Sequence, residues 1–246
     1  MNNDFRWCLW IEPSAKEDAL KIQPVRERIE RVREMRKESS NLSTQLLADT
    51  PYSFGQIRHL NVTSIIVPST TSERRHYIPL GFVDRDTIIS NLAYSIPTES
   101  PYVFGLISSR MHMVWVRIVA GRLKSDYRYS SGMCYNTFPF PVIAASQRES
   151  LSTYVYRILE ERELQSEKCL AQLYDPDRMP PGLREAHHQL DLAVERCYRS
   201  RPFESDEERL EYLFKLYEQM IAEEKTSGTL FQKAAKIVKP KTLKDA

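Results

Sequence analysis

The sequence predicts an α+β fold: a helical lead-in, a β-rich middle segment with one internal helix, and a helical C-terminal part. Three observations predict it. Apolar residues recur every three or four positions between Pro24 and Ser40. Between about 52 and 103 they come instead in short β-branched runs, broken by Pro68, Pro79, Gly81, Pro97 and Pro101. From about 146 onward the helical spacing returns and persists.

The opening, MNNDFRWCLWIEP, reads as a strand or the edge of a core, and as the start of a fragment more than as a targeting segment. A helix follows over about 24–40, with Val25, Ile29, Val32 and Met35 on one stripe. Pro24 suits its first turn, and Ser39, Ser40 and Asn41 mark its end. Runs at 62–67, 87–90 and 93–96 read as strands. One helix then holds Leu106, Met113, Val114, Arg117 and Ile118 and stops near Gly121. Residues 122–131 are polar and basic with two tyrosines, and YNTFPFP (135–141) closes the region. Leu151, Val155, Ile158, Leu159 and Arg162 form one amphipathic face, and 183–197 and 207–224 form two more. The last stretch, with five lysines against one acid, reads as a loosely held basic tail. The expected segments are therefore 1–50, 51–145, 146–225 and 226–246.

With 246 residues, 41% hydrophobic and 28% charged, the chain has the composition of a soluble globular protein. No apolar run is long enough to span a bilayer. Cys8, Cys134, Cys169 and Cys197 lie far apart, which suggests neither a zinc knuckle nor a disulfide framework and fits the cytoplasm. His187 and His188 are adjacent on a helix, so they point about 100° apart and cannot easily share a metal ion. The net charge of +2 argues against a generic nucleic-acid coat. Its distribution says more: residues 58–128 hold nine Lys/Arg against five Asp/Glu, while the flanks are neutral or acidic. Most of that surplus is arginine, whose planar fork grips phosphates and base edges.

Enzyme motifs are missing. No Gly-rich turn follows a strand, so no nucleotide or S-adenosylmethionine pocket of the usual kind is visible. Asn136 in YNTFPFP is not followed by Pro-Pro, so it does not make an amino-methyltransferase motif. His112 lacks a nearby carboxylate and reads as a hydrogen-bonded, partly buried histidine. Met111, Met113 and Trp115 sit at helical spacing and read as core.

The stretch GRLKSDYRYS (121–130) is the most informative. If 122–129 run extended, alternation sends Lys124, Asp126 and Arg128 to one face, with Tyr127 and Tyr129 packed inward. The plain reading is a solvated face with one weak ion pair. At a DNA groove the trio makes chemical sense: Lys donates to guanine O6 and N7, and Asp accepts from cytosine N4. Arg128 would grip a purine edge. Arg74, Arg75 and Arg122 suit phosphates, although an exposed ion-pair loop is an equal reading for Arg74 and Arg75.

Taken together, PVRERIERVREMRKESS, VPSTTSERRHYIPLGF, the Ser109–Arg117 run, GRLKSDYRYS and YNTFPFP resemble the C-terminal half of MmeI-like restriction-modification proteins. DPDRMPPGLREAHHQLDLAVERCYR and DEERLEYLFKLYE resemble that family's C-terminal helical domain. In that family one polypeptide carries a nuclease, an adenine-N6 methyltransferase, a target recognition domain and the helical domain. The resemblance implies that this chain holds the last two and the helix leading into them. S-adenosylmethionine and Mg²⁺ would then belong only to upstream domains, and the partners would be double-stranded DNA and a methyltransferase domain in cis or in trans. The chain would be a fragment, a truncated product or a separate specificity polypeptide. The resemblance also implies base-reading at Lys124, Asp126 and Arg128, and a second reading position near Asn91 and Leu92. A structural scaffold that docks a methyltransferase, or a stand-alone enzyme with an unrecognised site, are the other readings.

Overall fold

The computed structural model describes residues 6–237, with side chains through residue 226. The chain divides into two compact units, residues 4–60 and a larger one that begins at Asn61. Residues 226–237 of the expected tail continue the last helix instead of forming a loose segment, and 238–246 lie outside the described residues.

The smaller unit holds α1 (Lys16–Lys21), α2 (Gln23–Lys37) and α3 (Leu42–Leu46). Pro24 sits in the first turn of α2, where its missing N–H costs nothing, and Ile29 is buried on the expected stripe. Arg36 folds back from the same helix. It donates to the carbonyls of Leu47 (2.8 Å), Thr50 (3.0 Å) and Ser53 (2.8 Å), and so fixes the return of the chain. The Asn41 carboxamide oxygen caps α3 by accepting from the Ser43 amide at 2.9 Å. The strand expected in the opening segment is not formed over 6–12. Among the described residues this unit contains no strand, so an extended segment has no ladder to join.

The larger unit runs β1 (Ser64–Pro68), β2 (Thr70–Thr71), β3 (Gly81–Val83), β4 (Ala93–Ile96), α4 (Pro101–Ser108) and α5 (Arg110–Val119). It continues through β5 (Gly121–Leu123), β6 (Asp126–Arg128), α6 (Ala145–Glu163), α7 (Leu170–Leu173), α8 (Pro181–Tyr198) and α9 (Asp206–Ile237). The strands form two antiparallel three-stranded sheets, ordered β3-β1-β4 and β2-β6-β5. Ser69 alone separates β1 from β2, so one nearly continuous segment feeds both sheets.

Two expectations are corrected here. Residues 87–90 are not a strand: the Asp84 carboxylate accepts from the Asp86 amide and the Thr87 hydroxyl, which makes a turn. The single internal helix is two, because Ser109 is extended (φ −80°, ψ 163°). Its hydroxyl donates to the Leu106 carbonyl at 2.7 Å and accepts from the His112 amide, ending α4 and capping α5.

One core serves both the sheets and the C-terminal helices. Ile65, Leu80, Phe104 and Ile107 pack in the same buried cluster as Val155, Ile158, Leu183 and Leu190. Gly105 on α4 allows the closest approach: a Cβ there would meet Val155 at 3.0 Å and Leu190 at 3.2 Å. A buried polar network ties the same two regions. Arg162 of α6 donates to the Leu80 carbonyl (2.8 Å) and the Tyr174 hydroxyl (2.9 Å), and Tyr174 meets His187 at 2.7 Å. Asp191 of α8 accepts from the Tyr77 hydroxyl and the Arg110 amide, both at 2.7 Å.

Burial sets the titration of this core. It pushes the Asp191 carboxyl up to about 7 and holds His187 well below, and His112 down at about 3 of, their usual range. A histidine with a depressed folded pKa contributes stability above about pH 6.5 that is lost as pH falls, because the unfolded chain takes up its proton. Asp191 acts with the opposite sign. Between about pH 4 and 7 the folded state keeps a proton that the unfolded carboxylate has released, so this contribution grows as pH falls. Asp191→Asn removes this opposing contribution, so its stability should fall more steeply than the parent's from pH 6 to pH 5. Denaturant titrations at the two pH values measure it, and equal slopes would contradict the assignment.

Candidate nucleic-acid interface

Residues 121–128 fold as a tight hairpin rather than the single extended strand expected. The register pairs Gly121 with Arg128, Arg122 with Tyr127 and Leu123 with Asp126. That leaves Lys124 and Ser125 as a two-residue turn, with Lys124 in the left-handed region at φ 57°. The physical reason for the difference is local. Such turns are normally signalled by Gly, Asn or Asp, because a Cβ costs roughly 1–2 kcal/mol at positive φ, and here a lysine takes the place.

The hairpin still separates its side chains by face. Directly paired residues share a face, so Gly121, Leu123, Asp126 and Arg128 lie on one side, with Thr70 of β2 opposite Arg128. Arg122 and Tyr127 lie on the other, with Thr71. Tyr127 and Tyr129 are buried, so the strand is anchored from behind as the alternation predicts. Tyr129 bonds His112 Nε2 at 3.0 Å, in a site fully closed to water. His112 is thus more deeply buried than expected, and it supports the strand from within.

Lys124 is at the tip rather than in line with the other two, but it stays next to them. Among the described residues, the side chains of Lys124, Asp126 and Arg128 make no direct hydrogen bond or close ion pair; Lys124 and Arg128 are exposed, while Asp126 is half-buried and its charge acts on the Arg75 guanidinium. Charged side chains held on a stiff support without close internal bonds are available to a ligand.

Arg122 is used differently. Its guanidinium stacks 4.1 Å over the Tyr127 ring, donates to the Ser125 carbonyl at 2.8 Å and faces Glu73 at 3.5 Å. Those contacts hold the turn that presents Lys124. Arg74 pairs with Asp177 on the turn before α8, which raises its pKa, so the ion-pair reading of this loop is realised in the unliganded chain. Arg75 is half-buried. Desolvation lowers its pKa, while the nearby carboxylates of Asp126 and Asp175 oppose that shift.

Asn91 and Leu92 are exposed and stand beside the hairpin. The Leu92 carbonyl accepts from both the amide (2.9 Å) and the hydroxyl (2.7 Å) of Ser69, and the Ser69 carbonyl accepts from the Tyr129 amide at 2.9 Å. Ser69 therefore couples the 91–92 loop to the end of β6. Sequence reasoning missed this residue. The only signal was a small hydroxyl residue directly after Pro68, which is no more than a turn cue.

Residues 1–142 match the family model described as the MmeI target recognition domain, and residues 143–224 match the one described as the MmeI C-terminal domain. DNA methyltransferase A of Bacillus subtilis (strain 168) is 47% identical over 221 residues, which is 89% of this chain and 25% of that protein. A solved structure of the type IIL restriction-modification enzyme MmeI in complex with DNA matches at 40% identity with a TM-score of 0.85, over 90% of this chain and 30% of that one. The chain thus spans between 25% and 30% of the length of these relatives.

Proposed function

The chain belongs to the MmeI family, and on that premise we propose that it reads double-stranded DNA sequence for a restriction-modification adenine-N6 methyltransferase, through the major groove. The observation that carries this is the hairpin: three charged side chains that make no direct side-chain hydrogen bond, on a ribbon backed by buried tyrosines. A two-stranded β-ribbon fits the major groove, and each of these side chains has a matching base edge. Lys124 donates to guanine O6 and N7, Asp126 accepts from cytosine N4 of the same pair, and Arg128 forks onto a purine. Asn91 and Leu92, held next to β6 through Ser69, address a second position. Arg74, Arg75 and Arg122 meet phosphates, with phosphate oxygens replacing Asp177 for Arg74 and Glu73 for Arg122.

The partner in cis or in trans is a methyltransferase domain. Support comes from the smaller unit, where Trp7, Met35, Leu42, Leu46, Ile57 and Leu60 are each more than half exposed. Six large apolar side chains left exposed in so small a unit are what a docking face would use. No catalytic centre belongs to this chain in this reading; S-adenosylmethionine and Mg²⁺ serve other domains, and the setting is the cytoplasm. No described helix is long and apolar enough to cross a membrane.

Selection of random duplexes by the full chain at moderate salt tests the reading. A convergent motif containing a G·C pair should emerge, and no methyl group should pass from S-adenosylmethionine to the DNA. Equal binding to all duplexes would favour a docking scaffold, and methyl transfer would reveal a catalytic centre.

A further inference from the structure

We propose that Leu123 is a further specificity-determining residue, packing against the C5-methyl group of a thymine in the base step next to the pair that Asp126 reads. The inference rests on the DNA-reading assignment above and adds an apolar contact to its polar ones.

The observations come from the hairpin itself. Leu123 is the direct cross-strand partner of Asp126, so the two side chains stand on the same face, with Arg128 beyond. It is 54% exposed, on the outer strand of β2-β6-β5, while the other large apolar side chain of the hairpin, Tyr127, is turned inward and buried. A single exposed leucine on a protein surface is ordinary. What singles this one out is its neighbours: every other side chain projecting from this face of the hairpin is charged, and Gly121 leaves the space opposite Arg128 empty of side chain. A Cβ at Gly121 would meet only Arg128 Cβ, at 3.9 Å.

The spacing suits adjacent base pairs. Directly paired residues hold their Cβ atoms about 4.5–5.5 Å apart, against a rise of about 3.4 Å per base step. Two side chains so placed therefore reach neighbouring steps. In the major groove the one apolar feature a base offers is the thymine methyl. A leucine beside two charged readers is matched to it, and cannot be matched to an amino or carbonyl edge.

The test uses duplex selection with the full chain and with two variants, Leu123→Ala and Asp126→Ala, each checked for unchanged melting. The pair whose preference disappears in Asp126→Ala locates the carboxylate on the site. A thymine is expected at an adjacent step. Replacing it by uracil, which lacks only the methyl, should weaken binding of the parent about fourfold, while Leu123→Ala should bind the two duplexes alike. No thymine beside the Asp126-dependent pair, equal binding of both duplexes by the parent, or discrimination that survives in Leu123→Ala would each overturn the proposal and leave the base-reading assignment standing. A parent chain that selects no sequence at all would instead remove the assignment beneath it.

Discussion

The double exchange Lys124→Glu, Asp126→Arg is expected to invert the preference of the chain at one base pair, from G·C to C·G. The reasoning is chemical complementarity on a fixed support. Glu accepts from cytosine N4 where Lys donated to guanine, and Arg donates to guanine O6 and N7 where Asp accepted from cytosine. Each well-placed pair is worth about 1–3 kcal/mol of discrimination, or roughly 5-fold to 150-fold in affinity. The exchange leaves the hairpin formal charge unchanged, so the salt dependence should stay as it was. Glu at the tip faces the same left-handed conformation that Lys124 already adopts; Arg at 126 loses the carboxylate that acts on Arg75, so the melting temperature of the exchange variant is checked alongside. Competition binding with two duplexes that differ only by inversion of that pair measures the effect. Unchanged preference would show that these residues do not read it.

A chain cut after residue 142, where the two family matches meet, is expected to lose its folded reading unit. The cut removes Leu151, Val155, Ile158, Leu183, Leu190 and Val194, all fully buried against the helices that carry the hairpin. Burial of such side chains is worth roughly 1.5–3 kcal/mol each, so the loss is on the order of the whole stability of about 5–15 kcal/mol typical of a domain. Removing Arg162, Tyr174 and Asp191 also strands polar partners: the Leu80 carbonyl and the Tyr77 hydroxyl lose their bonds. Hydrogen exchange of the truncated chain should show no lasting protection over residues 61–142, whatever the smaller unit retains. Strong protection there would mean that the reading part folds without the C-terminal helices.

Much of this architecture was legible in the sequence. Pro24 and the stripe through Ile29 placed α2 to within three residues at its ends, and the β-branched segments around Ile65 and Tyr94 placed β1 and β4, because local pattern and tertiary burial agree there. The inward tyrosines and the shared face of Asp126 and Arg128 followed from alternation alone. Three features did not follow. The break at Ser109 depends on two hydrogen bonds from one hydroxyl inside an otherwise continuous apolar run. The turn at Lys124 uses a residue that turns disfavour, and it is held by Arg122 from the opposite face. The partners of Arg74 and Arg162 come from more than eighty and from twelve residues away, and no local pattern encodes such pairings.

The central claim is that the exposed hairpin face distinguishes one base pair from another. The direct measurement is the ratio of dissociation constants for the selected duplex and a scrambled one at a single salt concentration, for the parent chain and for a variant with Lys124, Asp126 and Arg128 all changed to Ala. The ratio should fall to near unity in the variant while its melting temperature holds. A ratio that stays at the parent value would place sequence reading elsewhere on the molecule.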